Sequence, residues 1–226
     1  MKKWIKALTV ASVLAAAQSS VMAAEGRAVL ADQTLVSAEN ASLNFRNAPA
    51  PVGLVEDLRK GGYVIVFRYT GSGGDDAAIA PELKQKVIDD GQRISKRSIE
   101  RMTSYGKKYQ DLGIPVNRVL SSEYYFVWQH AQAAFGNPIQ ISRDLTGSLN
   151  FRDKNELAQS LQNLRNRTVT PPDAGQNTIL FTHQGKFDKA YGYYIPAGTT
   201  ILFKPDGTST PKLVAVLSYD EFMALK

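Results

Sequence analysis

The 226-residue chain contains no cysteine, two histidines and two tryptophans. Without cysteine there is no disulfide, no thiolate nucleophile and no thiolate-bound metal. Two histidines and no ordered cluster of carboxylates leave no metal-ligand spacing, and no motif calls for a cofactor. After the first two dozen residues no apolar run is long enough to cross a bilayer, so no transmembrane anchor is expected. A strong excess of one charge is also lacking. The formal charge of +6 includes Lys2, Lys3 and Lys6 of an N-terminal stretch, MKKWIKALTVASVLAAAQSSVMA. Basic start, short apolar middle and small residues before Ala23 form the pattern of a secretory signal peptide, expected to be cut after residue 23. What remains carries +3 (27 − 3 = 24 basic residues against 21 acidic). That balance permits an anionic partner but does not demand nucleic acid, and none is expected. An exported chain without disulfides fits a bacterial periplasm better than a small disulfide-stapled module.

Residues 24–50 are rich in Ala, Ser and Asn and end in Ala48-Pro49-Ala50-Pro51, which reads as a leader arm with little order of its own. Residues 51–226 then alternate between helical and strand patterns, enough for one domain with a full core. Helices are expected over 54–60, 93–112, 124–135 and 154–165. Strands are expected over 63–69, 118–122, 139–142, 177–182, 201–204 and 213–217. Several of these strands are apolar on both faces, which implies a parallel-rich sheet covered by helices. In such sheets ligands sit beyond the carboxyl ends of the strands. Three endings therefore stand out: Arg68-Tyr69-Thr70, Ser121-Ser122 and Thr182-His183.

Those endings, in that order, resemble the histidine phosphatase superfamily. The stretch LRKGGYVIVFRYT (58–70) is similar to the family's first strand, which ordinarily ends Arg-His-Gly. LGIPVNRVLSSEYYFVWQHAQAAFG (112–136) is similar to its second conserved segment. NTILFTHQGKF (177–187) is similar to its last catalytic strand. The resemblance runs from about residue 54 to the end. It implies an α/β three-layer sandwich with a mostly parallel central sheet, of the phosphoglycerate mutase-like kind. In that family a histidine attacks phosphorus, while two arginines and a second histidine grip the phosphoryl oxygens.

Carried over residue by residue, the resemblance places Arg68 as the first arginine and His183 as the second histidine. Tyr69 takes the nucleophile's position, Thr70 that of the usual glycine, and Phe126 that of the second arginine. His130 stands where a threonine is usual. Arg68, Thr70, Ser122, Phe126 and His183 are thus the expected ligand-binding set, with Tyr69 and His183 at the catalytic positions. A phenol, with an ordinary pKa of about 10, is a poor phosphoryl acceptor at neutral pH. The resemblance implies a fold whose ordinary phosphatase reaction is absent or residual. Two functions stay open: a noncatalytic protein holding an anionic, phosphorylated small molecule or a protein partner, and a divergent hydrolase of phosphate monoesters. Without the family pattern, Arg68 reads equally as an ion-pair partner at a sheet edge, and His130 and His183 as ordinary packed histidines. Gly71-Ser72-Gly73-Gly74 lacks the Gly-Lys-Ser/Thr ending of a phosphate loop, and Asp75-Asp76 and Asp89-Asp90 read as solvated charges.

Overall fold

A computed structural model describes residues 43–71, 73–74, 78–136 and 138–226. The expected signal peptide, most of the leader arm and the Asp75-Asp76 pair lie outside the described residues. Helix α1 (Leu54–Lys60) ends at Gly61 and leads into strand β1 (Val64–Arg68). A single turn, α2 (Pro81–Lys84), precedes the long helix α3 (Lys96–Asp111). The sequence pattern suggests that α3 begins at Arg93. It begins three residues later because the Ser95 hydroxyl accepts the Ser98 N–H and caps the first turn there. Strand β2 (Val116–Ser121), helix α4 (Tyr125–Phe135) and the short strand β3 (Gln140–Ile141) follow. Two 3₁₀ turns, Arg143–Leu145 and Ser148–Asn150, lead to helix α5 (Lys154–Val169). The chain closes with β4 (Asn177–Thr182), α6 (Gln184–Tyr191), β5 (Thr200–Phe203), β6 (Leu213–Leu217) and α7 (Tyr219–Met223).

The six strands form one sheet in the order β3-β2-β4-β1-β5-β6. β1, β2, β3 and β4 run parallel, and β5 and β6 are added antiparallel at one side. The mostly parallel α/β sandwich expected from the sequence is therefore the architecture observed. Alternation along β1 divides two cores. Ile65 and Phe67 join Met102, Tyr105, Phe126, Val127 and Phe222 under α1, α3, α4 and α7. Val64 and Val66 join Leu157, Leu161, Leu164 and Phe187 under α5 and α6. Fully burying each such side chain contributes roughly 1.5–3 kcal/mol. Phe45, within the segment read as a leader arm, adds to the second core by stacking on Tyr193 at 5.0 Å. The Ala48 carbonyl accepts the Val216 N–H at 2.7 Å, pinning the same segment to β6.

Two polar devices fix the layers. The buried Asn177 side chain accepts the Tyr63 N–H and donates to the carbonyls of Leu58 and Pro115, locking the start of β4 to its neighbours. Under α3, the Tyr105 hydroxyl meets those of Tyr109 at 2.9 Å and Thr200 at 3.0 Å, so none of the three is buried unpaired. Gly106 lets α3 press onto α4: a Cβ there would lie 1.7 Å from the Ala134 carbonyl oxygen.

Candidate functional site

Parallel pairing sets the candidate residues level with one another. Arg68 is in register with Thr182, and Ser121 with Phe181. The chain leaves β1, β2 and β4 at the same edge, so residues 68–70, 122–126 and 183–185 converge there. A cleft of about 260 Å³ opens beside them. Tyr69, Tyr124, Phe126 and His183 form its inner wall, with Gly147, Ser148 and Leu149 on one side and Asp90 and Gln92 on another.

Tyr69 is the hub. Its ring meets Phe126 edge-on at 4.9 Å, His183 at 5.5 Å and His130 at 5.8 Å. The Arg68 guanidinium lies 5.5 Å from the Tyr69 ring and 5.8 Å from Tyr194. Alternation at the end of β1 explains the arrangement. Tyr69 packs against the α3–α4 core, whereas Arg68 turns to the other face and donates to the Ile195 carbonyl at 3.1 Å. Arg68 is accordingly not among the residues lining the cleft.

The polar atoms around this ring are under-satisfied. Arg68 Nε, Thr70 Oγ1, His130 Nε2 and His183 Nε2 are buried without a hydrogen-bond partner. Each such atom costs about 1–3 kcal/mol when left unpaired. Three of their side chains, Arg68, His130 and His183, surround the Tyr69 ring; Arg101 Nε and Ser121 Oγ are unpartnered as well. Ser122 is different. Its hydroxyl accepts the Tyr124 N–H at 3.1 Å, bracing the turn into α4, and it is not on the cleft wall.

Both histidines are held neutral near pH 7. Burial lowers the pKa of His183 to about 4, and the charges of Arg68 and Lys186 push the same way. His130 is also lowered to about 4 by burial, against the pull of the Phe126 and Gly71 carbonyls. His130 Nδ1 lies 2.7 Å from the Phe126 carbonyl. A carbonyl only accepts, so Nδ1 carries the proton. His183 sits just before α6, and its backbone N–H is directed at the Leu145 carbonyl at 3.4 Å. Gly147 allows the turn to press on the imidazole, since a Cβ there would be 3.1 Å from His183 Nδ1.

Sequence reasoning missed part of the wall. Asp90 and Gln92 reach the cleft because Ile88 pairs with the start of α4, its N–H donating to the Glu123 carbonyl at 2.7 Å. Ser148 and Leu149 arrive on a 3₁₀ turn with no sequence period. The Glu123 carboxylate holds the segment before that turn, accepting from Thr146 Oγ1 at 3.0 Å and Arg143 at 3.1 Å. Lys186, behind the site, is buried and donates to Ser160 Oγ at 2.5 Å, with its ammonium 3.8 Å from the Phe151 ring centre. A lysine inside the otherwise small and apolar run Gly185-Lys186-Phe187 was the one available signal.

No protein-family model matches the chain, and no curated protein matches its sequence. Solved structures do resemble it. One is a candidate alpha-ribazole-5'-P phosphatase of Escherichia coli K-12, 12% identical with a TM-score of 0.48, the match covering 70% of this chain and 97% of that one. Another is the protein histidine phosphatase SixA complexed with tungstate, 13% identical with a TM-score of 0.45 over 70% and 97% of the two chains. A third is a mutant phosphoserine phosphatase of Entamoeba histolytica in complex with phosphoserine, 10% identical with a TM-score of 0.45 over 70% and 98%. At 10–13% identity and TM-scores of 0.45–0.48 these are distant likenesses, and the activity of this chain does not follow from them.

Proposed function

We propose that the protein is a noncatalytic binding protein, a pseudophosphatase exported to the periplasm after loss of its N-terminal segment. The observation that carries this reading is the packing of Tyr69. Where the resemblance asks for an attacking imidazole there is a phenol ring, wedged edge-on against Phe126 at 4.9 Å. Phe126 in turn fills the place expected of a second guanidinium. Phosphoryl transfer depends on positioning and on neutralising a spread-out anionic transition state. One arginine and a neutral imidazole supply little of that charge. What remains suits holding. Arg68 Nε and Thr70 Oγ1, both unpartnered, are the groups that would receive an anionic, phosphorylated small molecule or a carboxylate of a protein partner once the Tyr69 ring turns aside.

A second reading, a divergent hydrolase of phosphate monoesters, draws support from one feature. His183 keeps an unpartnered Nε2 and is neutral near pH 7, as a base or acceptor needs to be. Turnover of p-nitrophenyl phosphate by the full chain, with Tyr69→His and His183→Ala alongside, separates the two. The binding reading expects no wild-type turnover above the uncatalysed rate. Robust wild-type turnover that disappears in His183→Ala would falsify it.

A further inference from the structure

We infer that the cleft beside Tyr124 is a recognition site for a single neutral, polyhydroxylated ring of the sugar type. The inference goes beyond the binding reading above: it concerns the cleft and not the Arg68 and Thr70 groups, neither of which lines it.

Charge decides first. Among the described residues the cleft wall carries one formal charge, the Asp90 carboxylate, and no cation. Two unit charges about 4 Å apart interact by about 1 kcal/mol in water and about 4 kcal/mol at the effective dielectric of a protein surface. A phosphate in the cleft would meet that repulsion without a compensating cation, because Arg68 stands off the wall. A neutral ligand avoids that penalty.

The surfaces decide the rest. Tyr124 and Phe126 stand at 74° with ring centres 6.1 Å apart, and the His183 ring lies 4.7 Å from Tyr124. Phe126 is buried, so the half-buried Tyr124 and His183 supply the aromatic surface against which the C–H face of a saturated ring can be buried. Around it stand Gln92, Gln184 and Ser148, each able to donate and accept. Asp90 accepts from the Gln92 N–H at 3.1 Å and from Gln92 Nε2 at 2.7 Å. The pair is therefore pre-set, and the carboxylate keeps lone pairs for ligand hydroxyls. The volume, about 260 Å³, is just below the roughly 300–1,000 Å³ of drug-sized pockets, which suits one ring and not a chain. Leu149 stands on the rim 95% exposed, and a seated ring gives it something to cover.

The test is a titration of the full, isotope-labelled chain with glucose, N-acetylglucosamine and methyl galactoside, followed by backbone amide shifts, with inorganic phosphate, choline and indole as competing probes. At least one of the sugars should saturate shifts confined to residues 90–92, 124–126, 147–149 and 183–185. Tyr124→Ala should weaken that binding about tenfold or more, corresponding to about 1.4 kcal/mol. Gln92→Ala, an exposed change that disturbs no core contact, should weaken it as well. The inference is overturned if none of the three sugars binds, if phosphate, choline or indole takes the cleft in their place, or if sugar binding survives both Tyr124→Ala and Gln92→Ala. Sugar binding by a chain that also turns over phosphate esters would sink the noncatalytic reading and leave this inference standing.

Discussion

Replacing Lys186 with methionine should make the protein more stable, and the gain should depend on pH. The ammonium is buried with one hydroxyl partner, Ser160 Oγ, and the face of Phe151. Burial lowers its pKa from 10.5 to about 7, with the Asp144 carboxylate pulling the other way. Between those two values the unfolded chain holds a proton that the folded chain has lost. Folding stability therefore rises with pH across that window. At about 1.4 kcal/mol per unit, the buried amine costs roughly 4 kcal/mol at pH 7 and almost nothing above pH 10.5. Methionine is of similar length and carries no charge. Its gain is offset by loss of the cation–π contact, about 1–2 kcal/mol, and of one hydrogen bond, about 1 kcal/mol. The net expectation is about 1–2 kcal/mol in favour of Lys186→Met at pH 7, shrinking and then reversing as the pH approaches 10. Urea unfolding of both proteins at pH 6, 7, 8 and 9 measures it. A variant less stable than wild type at pH 7, or a difference that does not change with pH, would refute the reasoning.

Other consequences follow from the packing and the buried imidazoles. Gly106→Ala places a methyl group 1.7 Å from the Ala134 carbonyl, so α3 and α4 must separate. The expected loss is about 1–3 kcal/mol or more despite a helix-propensity gain of about 1 kcal/mol, read as a lower urea midpoint. His130 and His183, both lowered to about 4, stay neutral in the folded chain while the unfolded chain protonates. Stability should fall as the pH drops through 6.5 towards 4, by up to roughly 3 kcal/mol for each imidazole. Carbon-bound imidazole proton resonances titrating near 6.5 in the folded protein would contradict this.

Much of the scaffold was legible because it is periodic. Val64–Phe67 and Ile179–Phe181 are buried on both faces of the sheet, and such runs announce parallel strands before any contact is known. The strand ends could be read as a set for the same reason. Features set by local hydrogen bonds were less visible. α5 continues past Arg165 to Val169, its exposed face supported by the side-chain pairs Gln159–Asn163 and Gln162–Asn166. α6 is only eight residues long and opens with Gly185 and a buried lysine, which masks its period. The separation of Arg68 from the cleft follows from the two-residue alternation of β1. It was obscured because the family pattern treats Arg68 and the next residue as partners on one site. The outer wall, residues 147–149 and 90–92, comes from turns held by Thr146, Glu123 and Ile88, and no spacing in the sequence brings those segments together.

The most direct test of the central claim is a rapid-quench experiment on the native polypeptide. The full chain would be mixed with p-nitrophenyl phosphate, quenched at short times without acid, and its intact mass measured. With Tyr69 seated where an imidazole would attack, the account predicts an unmodified mass at every time point. A phosphoryl adduct that forms and decays with turnover would contradict it.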